Sequence, residues 1–116
     1  MVIDRERVKQ AFQEYTGRYD IHDEKIRLKV EHTYRVADIS EQIAEKLGLS
    51  EEDIALAWLI GMLHDIGRFE QLKRFNSFEA DTMDHATYGV QVLFEQGMIR
   101  QFIEEDTWDD VIRTAI

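Results

Sequence analysis

The chain has 116 residues, with 24 acidic side chains against 14 Lys and Arg, and a formal net charge of −10 at pH 7. Such an acidic chain does not fit binding to duplex nucleic acid or to an anionic membrane, because both need clustered Lys and Arg. The absence of cysteine excludes disulfides, thiolate metal sites and cysteine nucleophiles. A first helix is predicted from about Asp4 to Tyr15, where apolar residues recur at helical spacing before Gly17.

A second, longer helix is predicted from about Asp23 to Leu47, and Gly48 should end it in a left-handed conformation. We expect one apolar stripe of this helix to face the core, and it consists of Leu28, His32, Val36, Ile39 and Ile43. Ser50 is the expected N-cap of a third helix, which should stop near Ile66-Gly67. This third helix is apolar nearly all round, so it should be the central buried helix.

The polar stretch from Arg68 to about Thr82 is expected to be a loop with at most a helical turn. A further helix is predicted from about Asp84 to Gln96, and a short segment around Ile99 to Ile103 follows Gly97. Thr107 is the expected N-cap of the last helix, whose apolar face ends with the chain at Val111, Ile112, Ala115 and Ile116. Apolar groups gain nothing in water, so we expect a truncated chain or a terminus packed against a partner, such as a second copy.

These elements predict an all-α fold of about five to six helices in a single domain over residues 1–116, with the last helix cut short. Proline is absent, and strong helix formers are common. The longest nearly apolar run covers the ten residues Ile54 to Leu63, which is short of the roughly 18 that a membrane span needs. The amino-terminal residues lack the apolar stretch of a secretory signal, so a cytoplasmic protein is expected.

Three of the four histidines occur where a solvated surface histidine would be unusual. His32 lies in the apolar stripe of the second helix, and His64 closes the third helix directly before Asp65. His85 begins the helix after the polar stretch. Side chains from separate helices can meet inside a bundle around a metal ion, and imidazole with carboxylate suits Mn, Fe, Co, Ni or Zn. The pattern therefore predicts a divalent transition-metal site, while a buried structural histidine is the alternative at each position.

The stretches EHTYRV at residues 31–36, GMLHDIGRF at 61–69 and DHATYG at 84–89 resemble the HD-domain superfamily of metal-dependent phosphohydrolases. Within that superfamily they are similar to the small stand-alone hydrolases of bacteria. The resemblance covers about residues 26–116 and implies an HD-type helical bundle.

In that family a histidine, a His-Asp pair and a later aspartate bind the metal. His32, His64 and Asp65 match the first three members, and the resemblance places the fourth beyond Ile116. His85 resembles the additional histidines that bind a second ion or the substrate in multi-metal branches.

The resemblance also implies divalent-metal-dependent hydrolysis of a phosphate ester, in a nucleotide or another small molecule. Asp65 would then take part in proton handling as well as ligation. Arg35 and Arg68 are candidate phosphate contacts, because guanidinium binds phosphate through paired hydrogen bonds; a surface ion pair is the alternative for each. Phe75 and Phe78 should be loop or core anchors, with the border of a base-binding pocket as the alternative.

Three other functions remain open at this point. The first is an HD module that binds a nucleotide or a metal without turnover. The second is a di-iron oxygenase, which needs further ligands beyond His85. The third is a purely structural bundle.

Overall fold

The computed structural model describes residues 2–79 and 82–116, and this part of the chain contains helices and no strand, which confirms the all-α prediction. The helices in chain order are α1 (Arg5–Thr16), α2 (Glu24–Lys46), α3 (Glu51–Leu63), α4 (Arg68–Phe75), α5 (His85–Val90), α6 (Ile99–Phe102) and α7 (Asp109–Ala115). The chain continues from α5 as a π-helical turn over Gln91–Glu95. Within the described residues, no helix has the length and apolar character needed to cross a bilayer.

Helix α1 forms as its sequence predicts and closes one side of the core. The Asp4 side chain caps it by accepting a hydrogen bond from the backbone N–H of Arg7, at 3.2 Å. Phe12 is fully buried, and its ring meets the rings of Tyr34 and Phe69 edge-on, at centroid distances of 5.5 and 5.9 Å. These contacts join α1 to both α2 and α4.

Helix α2 buries a different face from the one we predicted. Its buried residues are Ile26, Thr33, Ala37 and Ala44. The large aliphatic residues of the predicted stripe point away from the core, and Leu28, Ile39 and Ile43 are 50%, 48% and 55% exposed. The small residues face α3 because the two backbones come very close. A Cβ added at Gly61 of α3 would lie only 2.6 Å from the Cα of Ala37.

Helix α3 is the buried helix that its composition predicts, and its second half carries the largest part of this burial. Ser50 caps it by accepting the Asp53 backbone N–H at 3.1 Å. The helix ends at Leu63, earlier than predicted, because a turn of i to i+3 hydrogen bonds follows. In this turn the N–H of Ile66 donates to the carbonyl of Leu63 at 3.2 Å, and the N–H of Arg68 donates to that of Asp65 at 2.9 Å.

The stretch predicted as a loop from Arg68 to Thr82 contains helix α4, so that prediction was wrong. Phe69 and Leu72 lie one turn apart and are buried, which gives α4 an apolar face despite its polar composition. Asn76 ends the helix in a left-handed conformation with φ of 51°. Residues 80 and 81 of the predicted loop lie outside the described residues.

The predicted helix from Asp84 to Gln96 is observed as α5 with its π-helical turn. Asp84 caps it by accepting the Thr87 backbone N–H at 3.1 Å, and Gly97 follows with φ of 77°. The predicted cap of the last helix was wrong. Helix α7 begins at Asp109 behind Trp108, without a side-chain cap, because the turn that precedes it is closed by the backbone hydrogen bond from Asp109 to Asp106.

The start of α4 presses directly against the start of α5. A Cβ added at Gly67 would lie 1.9 Å from the carbonyl oxygen of His85, and one added at Gly89 would lie 3.0 Å from Ile66 Cγ2. Both glycines therefore permit a backbone contact that no larger residue allows. This contact places His85 beside the turn that carries Asp65.

Replacing Gly67 with Ala should lower the free energy of unfolding by about 3 kcal/mol, because the new methyl group forces the two helix starts apart. Urea unfolding followed by circular dichroism measures the effect. Gly48→Ala is the matched control: no atom lies within 4 Å of its added Cβ, and only its positive φ of 72° is strained, at about 1 kcal/mol. Equal losses in the two variants would contradict the close contact.

Candidate metal centre

Three of the predicted ligands, one from α2 and two from the turn after α3, lie together. The Nε2 atom of His64 is 3.1 Å from Oδ2 of Asp65, and Nε2 of His32 is 3.6 Å from the same oxygen. The centroids of the two imidazole rings are 5.8 Å apart. One ligand atom from each of these residues lies within 4.8 Å of the others. This arrangement has the geometry of a site for a single ion.

The end of α3 orients His64. The last carbonyl groups of a helix lack partners within it, and the carbonyl of Gly61 accepts a hydrogen bond from Nδ1 of His64 at 2.6 Å. This bond assigns the proton to Nδ1 and leaves Nε2 to face Asp65. Histidines that bind metals commonly donate their second ring nitrogen to a carbonyl in this way.

Lys29 belongs to the same cluster, although it was not among the residues predicted from the sequence. Its Nζ atom donates a hydrogen bond to Oδ2 of Asp65 at 3.0 Å. Lys29 lies three residues before His32 on α2, so both side chains project from the same face of the helix. That spacing was the available signal, but a lysine is not expected among metal ligands and was therefore overlooked.

The other oxygen of Asp65 faces two further predicted residues. Nε2 of His85 and Nε of Arg68 each lie 3.8 Å from Oδ1. Arg68 is fixed in place because it donates hydrogen bonds to Oε1 of Gln71 at 2.9 Å and to the carbonyl of Phe78 at 3.1 Å. His85 and Arg68 therefore lie at the site, on the Oδ1 side of Asp65.

Arg35 and the two phenylalanines lie farther out. Arg35 is exposed on α2 and lines a groove beside His32, together with Phe78. Within residues 2–79 and 82–116, no ion pair involves Arg35. Phe75 and Phe78 are 46% and 39% exposed, so neither is a core anchor.

The surroundings of Asp65, His32 and His85 favour the protonation states in which these side chains can bind a metal ion. Burial alone would raise the pKa of Asp65, but the hydrogen bonds and charges of His64 and Lys29 hold that pKa far below its usual range. Loss of hydration and the charge of Lys29 lower the pKa of His32. Loss of hydration and the charge of Arg68 do the same for His85. Asp65 is thus an anion at neutral pH, and these two imidazoles are neutral.

His64 behaves differently because it is paired with Asp65. Burial lowers its pKa, but the hydrogen bonds to Asp65 and to the Gly61 carbonyl outweigh burial and raise it. An ion bound at Nε2 takes the place of the proton that this pairing favours. Metal binding at His64 and proton binding are therefore in competition.

The donor set fits a divalent transition metal. Two imidazole nitrogens and one carboxylate oxygen are the ligand types that such ions prefer. Three protein ligands also leave coordination positions open for water or substrate. The metal role of His32, His64 and Asp65, and that of His85, stays a prediction of this geometry.

In metal-free protein, the pair of His64 and Asp65 should stabilise the fold most between pH 3.8 and 6.5. The pKa of Asp65 lies below its ordinary 3.8, so its contribution is complete above that pH and is lost as the pH falls through the lower folded value. The pKa of His64 lies above its ordinary 6.5, so its contribution is complete below that pH and is lost as the pH rises through the higher folded value.

Urea unfolding of chelator-treated wild type and His64→Gln measures this contribution. The difference in unfolding free energy should be about 1–2 kcal/mol near pH 5 and should shrink on both sides. His22→Gln, at an exposed histidine outside the cluster, should leave the pH profile unchanged. A His64→Gln difference that is constant over the whole pH range would contradict the pairing.

One of the comparisons with known proteins gives a match, and it agrees with this geometry. A family model described as HD domain matches residues 30–115. Neither the comparison with curated proteins nor the comparison with solved structures gives a match. The family match includes His32, His64, Asp65 and His85, and it covers most of the chain. The chain therefore belongs to the HD-domain family.

Proposed function

We propose that this protein is a divalent-metal-dependent phosphohydrolase that acts on a nucleotide or another small phosphate ester. The observation that carries the proposal is the meeting of His32, His64 and Asp65, whose donor atoms lie within 4.8 Å of one another. Membership of the HD-domain family supports it, since HD domains are mostly metal-dependent hydrolases.

His32, His64 and Asp65 would hold the ion, with His85 adjacent on the Oδ1 side. When bound, an ion such as Mn, Fe, Co, Ni or Zn supplies polarisation of a phosphoryl oxygen and a water of lowered pKa. The depressed pKa of Asp65 makes it a poor proton acceptor at neutral pH, so it acts as a ligand first. His85 is neutral there, and its Nε2 is available to accept a proton beside the reacting group.

Two arginines would interact with the phosphate group of the substrate. Arg68 is already positioned by Gln71 and the Phe78 carbonyl, so its guanidinium binds a phosphoryl oxygen without first having to be ordered. Preorganised charge of this kind stabilises the charge that develops in the transition state. Arg35 lies in the neighbouring groove, where it attracts the anionic substrate.

The first test is His64→Ala, which should reduce bound metal to background and abolish phosphate release, because it removes a ligand held by the end of α3. Elemental analysis and release of inorganic phosphate from a panel of nucleotides and p-nitrophenyl phosphate measure the two effects. His22→Ala, outside the cluster, should keep both. Retention of the metal by folded His64→Ala would refute the site.

The second test is Arg68→Ala, which should keep the metal but lower kcat about tenfold to a hundredfold, as expected for the loss of a charged hydrogen bond. Arg27→Ala on the exposed side of α2 is the matched control and should retain full kcat. An unchanged kcat in Arg68→Ala would remove Arg68 from the phosphate site.

Calorimetry of nucleotide binding and measurement of oxygen consumption, added to these two assays, identify the competing functions. A protein that binds metal and nucleotide but releases no phosphate with any divalent ion is a binding module. A di-iron content together with oxygen consumption identifies an oxygenase.

A further inference from the structure

Lys29 places its positive charge at the carboxylate oxygen to which a metal ion would bind. Its ammonium contacts Oδ2 of Asp65 at 3.0 Å, the same oxygen that Nε2 of His64 and Nε2 of His32 approach. The Lys29 side chain is only 14% exposed, so its charge is largely withdrawn from water and depends on Asp65 for compensation. A cation bound to that oxygen and the ammonium are therefore competitors.

A groove lined by cationic side chains lies next to the cluster. The groove has a volume of about 320 Å³ and is lined by Lys25, Leu28, Lys29, His32, Arg35 and Phe78. Three of these residues are cationic and none is acidic, although the chain has a net charge of −10. The groove is thus suited to an anion. Nζ of Lys29 lies 4.9 Å from the centroid of the Phe78 ring, so Lys29 borders both the groove and the cluster.

We propose that Lys29 is shared between two sites: it pairs with Asp65 when no divalent ion is present, and it turns to the anionic group of the substrate in the groove when an ion is bound. This inference rests on the proposed function. The flexible four-carbon stem of lysine lets the ammonium move between the two positions while the stem remains packed.

The consequence is that one residue affects two ligands in opposite directions. A unit positive charge a few ångströms from a dication is strongly repulsive in a partly buried site, so Lys29 weakens metal binding. The same charge, once released, attracts phosphate and tightens its binding. A lysine that only supports the fold would not produce changes of opposite sign.

The experiment uses Lys29→Met, which keeps most of the stem length and removes the charge. The affinity for Mn²⁺ alone is obtained from the electron paramagnetic resonance signal of the free ion. The affinity of Mn²⁺-loaded protein for inorganic phosphate is obtained by calorimetry. We expect Mn²⁺ to bind at least about tenfold more tightly than in wild type, and phosphate to bind about tenfold more weakly.

Two variants control for charge and for the groove. Lys29→Arg keeps the charge, so its Mn²⁺ affinity should stay close to that of wild type. Lys25 lies one turn earlier on α2 and lines the same groove, but its ammonium binds the carbonyl and Oδ1 of Asn76, at 3.0 and 3.2 Å, instead of Asp65. Lys25→Met should therefore leave the affinity for Mn²⁺ unchanged. Thermal unfolding confirms that each variant is folded, and Lys29→Gln replaces Lys29→Met if the latter is not.

The outcomes separate this inference from the proposed function. Unchanged or weaker Mn²⁺ binding in the neutral Lys29 variant, while wild type binds Mn²⁺, overturns the inference and leaves the proposed function standing. Tighter Mn²⁺ binding with unchanged phosphate affinity overturns the transfer to the substrate. Failure of wild type and of every variant to bind any of Mn²⁺, Fe²⁺, Co²⁺, Ni²⁺ and Zn²⁺ overturns both.

Discussion

The arrangement of side chains around the site depends on the buried negative charge of the Asp65 carboxylate. The carboxylate is nearly buried and has partners on two sides: Lys29 and His64 contact Oδ2, and Arg68 and His85 each lie 3.8 Å from Oδ1. A carboxylate withdrawn from water persists as an anion only with such partners. Helices α2, α4 and α5 each contribute one or more of them, so the anion ties together segments that are far apart in sequence.

Close backbone contacts make this convergence possible. Gly61 lets α3 approach Ala37 of α2, and Gly67 lets the start of α4 touch the carbonyl of His85. The site is therefore positioned by packed helices and a short turn, and rigid support of this kind is what precise coordination needs. The family match over residues 30–115 spans both contacts.

The sequence predicted most helices and the cluster of His32, His64 and Asp65, because helical spacing, capping residues and motifs are local signals. The sequence did not predict the features that depend on contacts between distant segments of the chain. Leu28 and Ile39 belong to the more apolar stripe of α2, yet both are half-exposed. The small residue Ala37 faces the core instead, because the close approach of the α2 and α3 backbones outweighs side-chain hydrophobicity there. Lys29 was missed for a related reason: a charge becomes part of a site only when a distant partner is brought to it.

The buried amide of Gln71 holds in place the segment after α4, which contributes Phe78 to the groove. It donates hydrogen bonds to the carbonyl of Glu79 at 3.1 Å and to Oγ1 of Thr82 at 3.0 Å, and its oxygen accepts one from Arg68. The backbone after α4 is thus tethered to the helix on which Arg68 lies, next to the Phe78 ring. Lifting the backbone at Phe78 away from α4 would therefore break the hydrogen bonds of a buried amide and displace the guanidinium of Arg68 together with it.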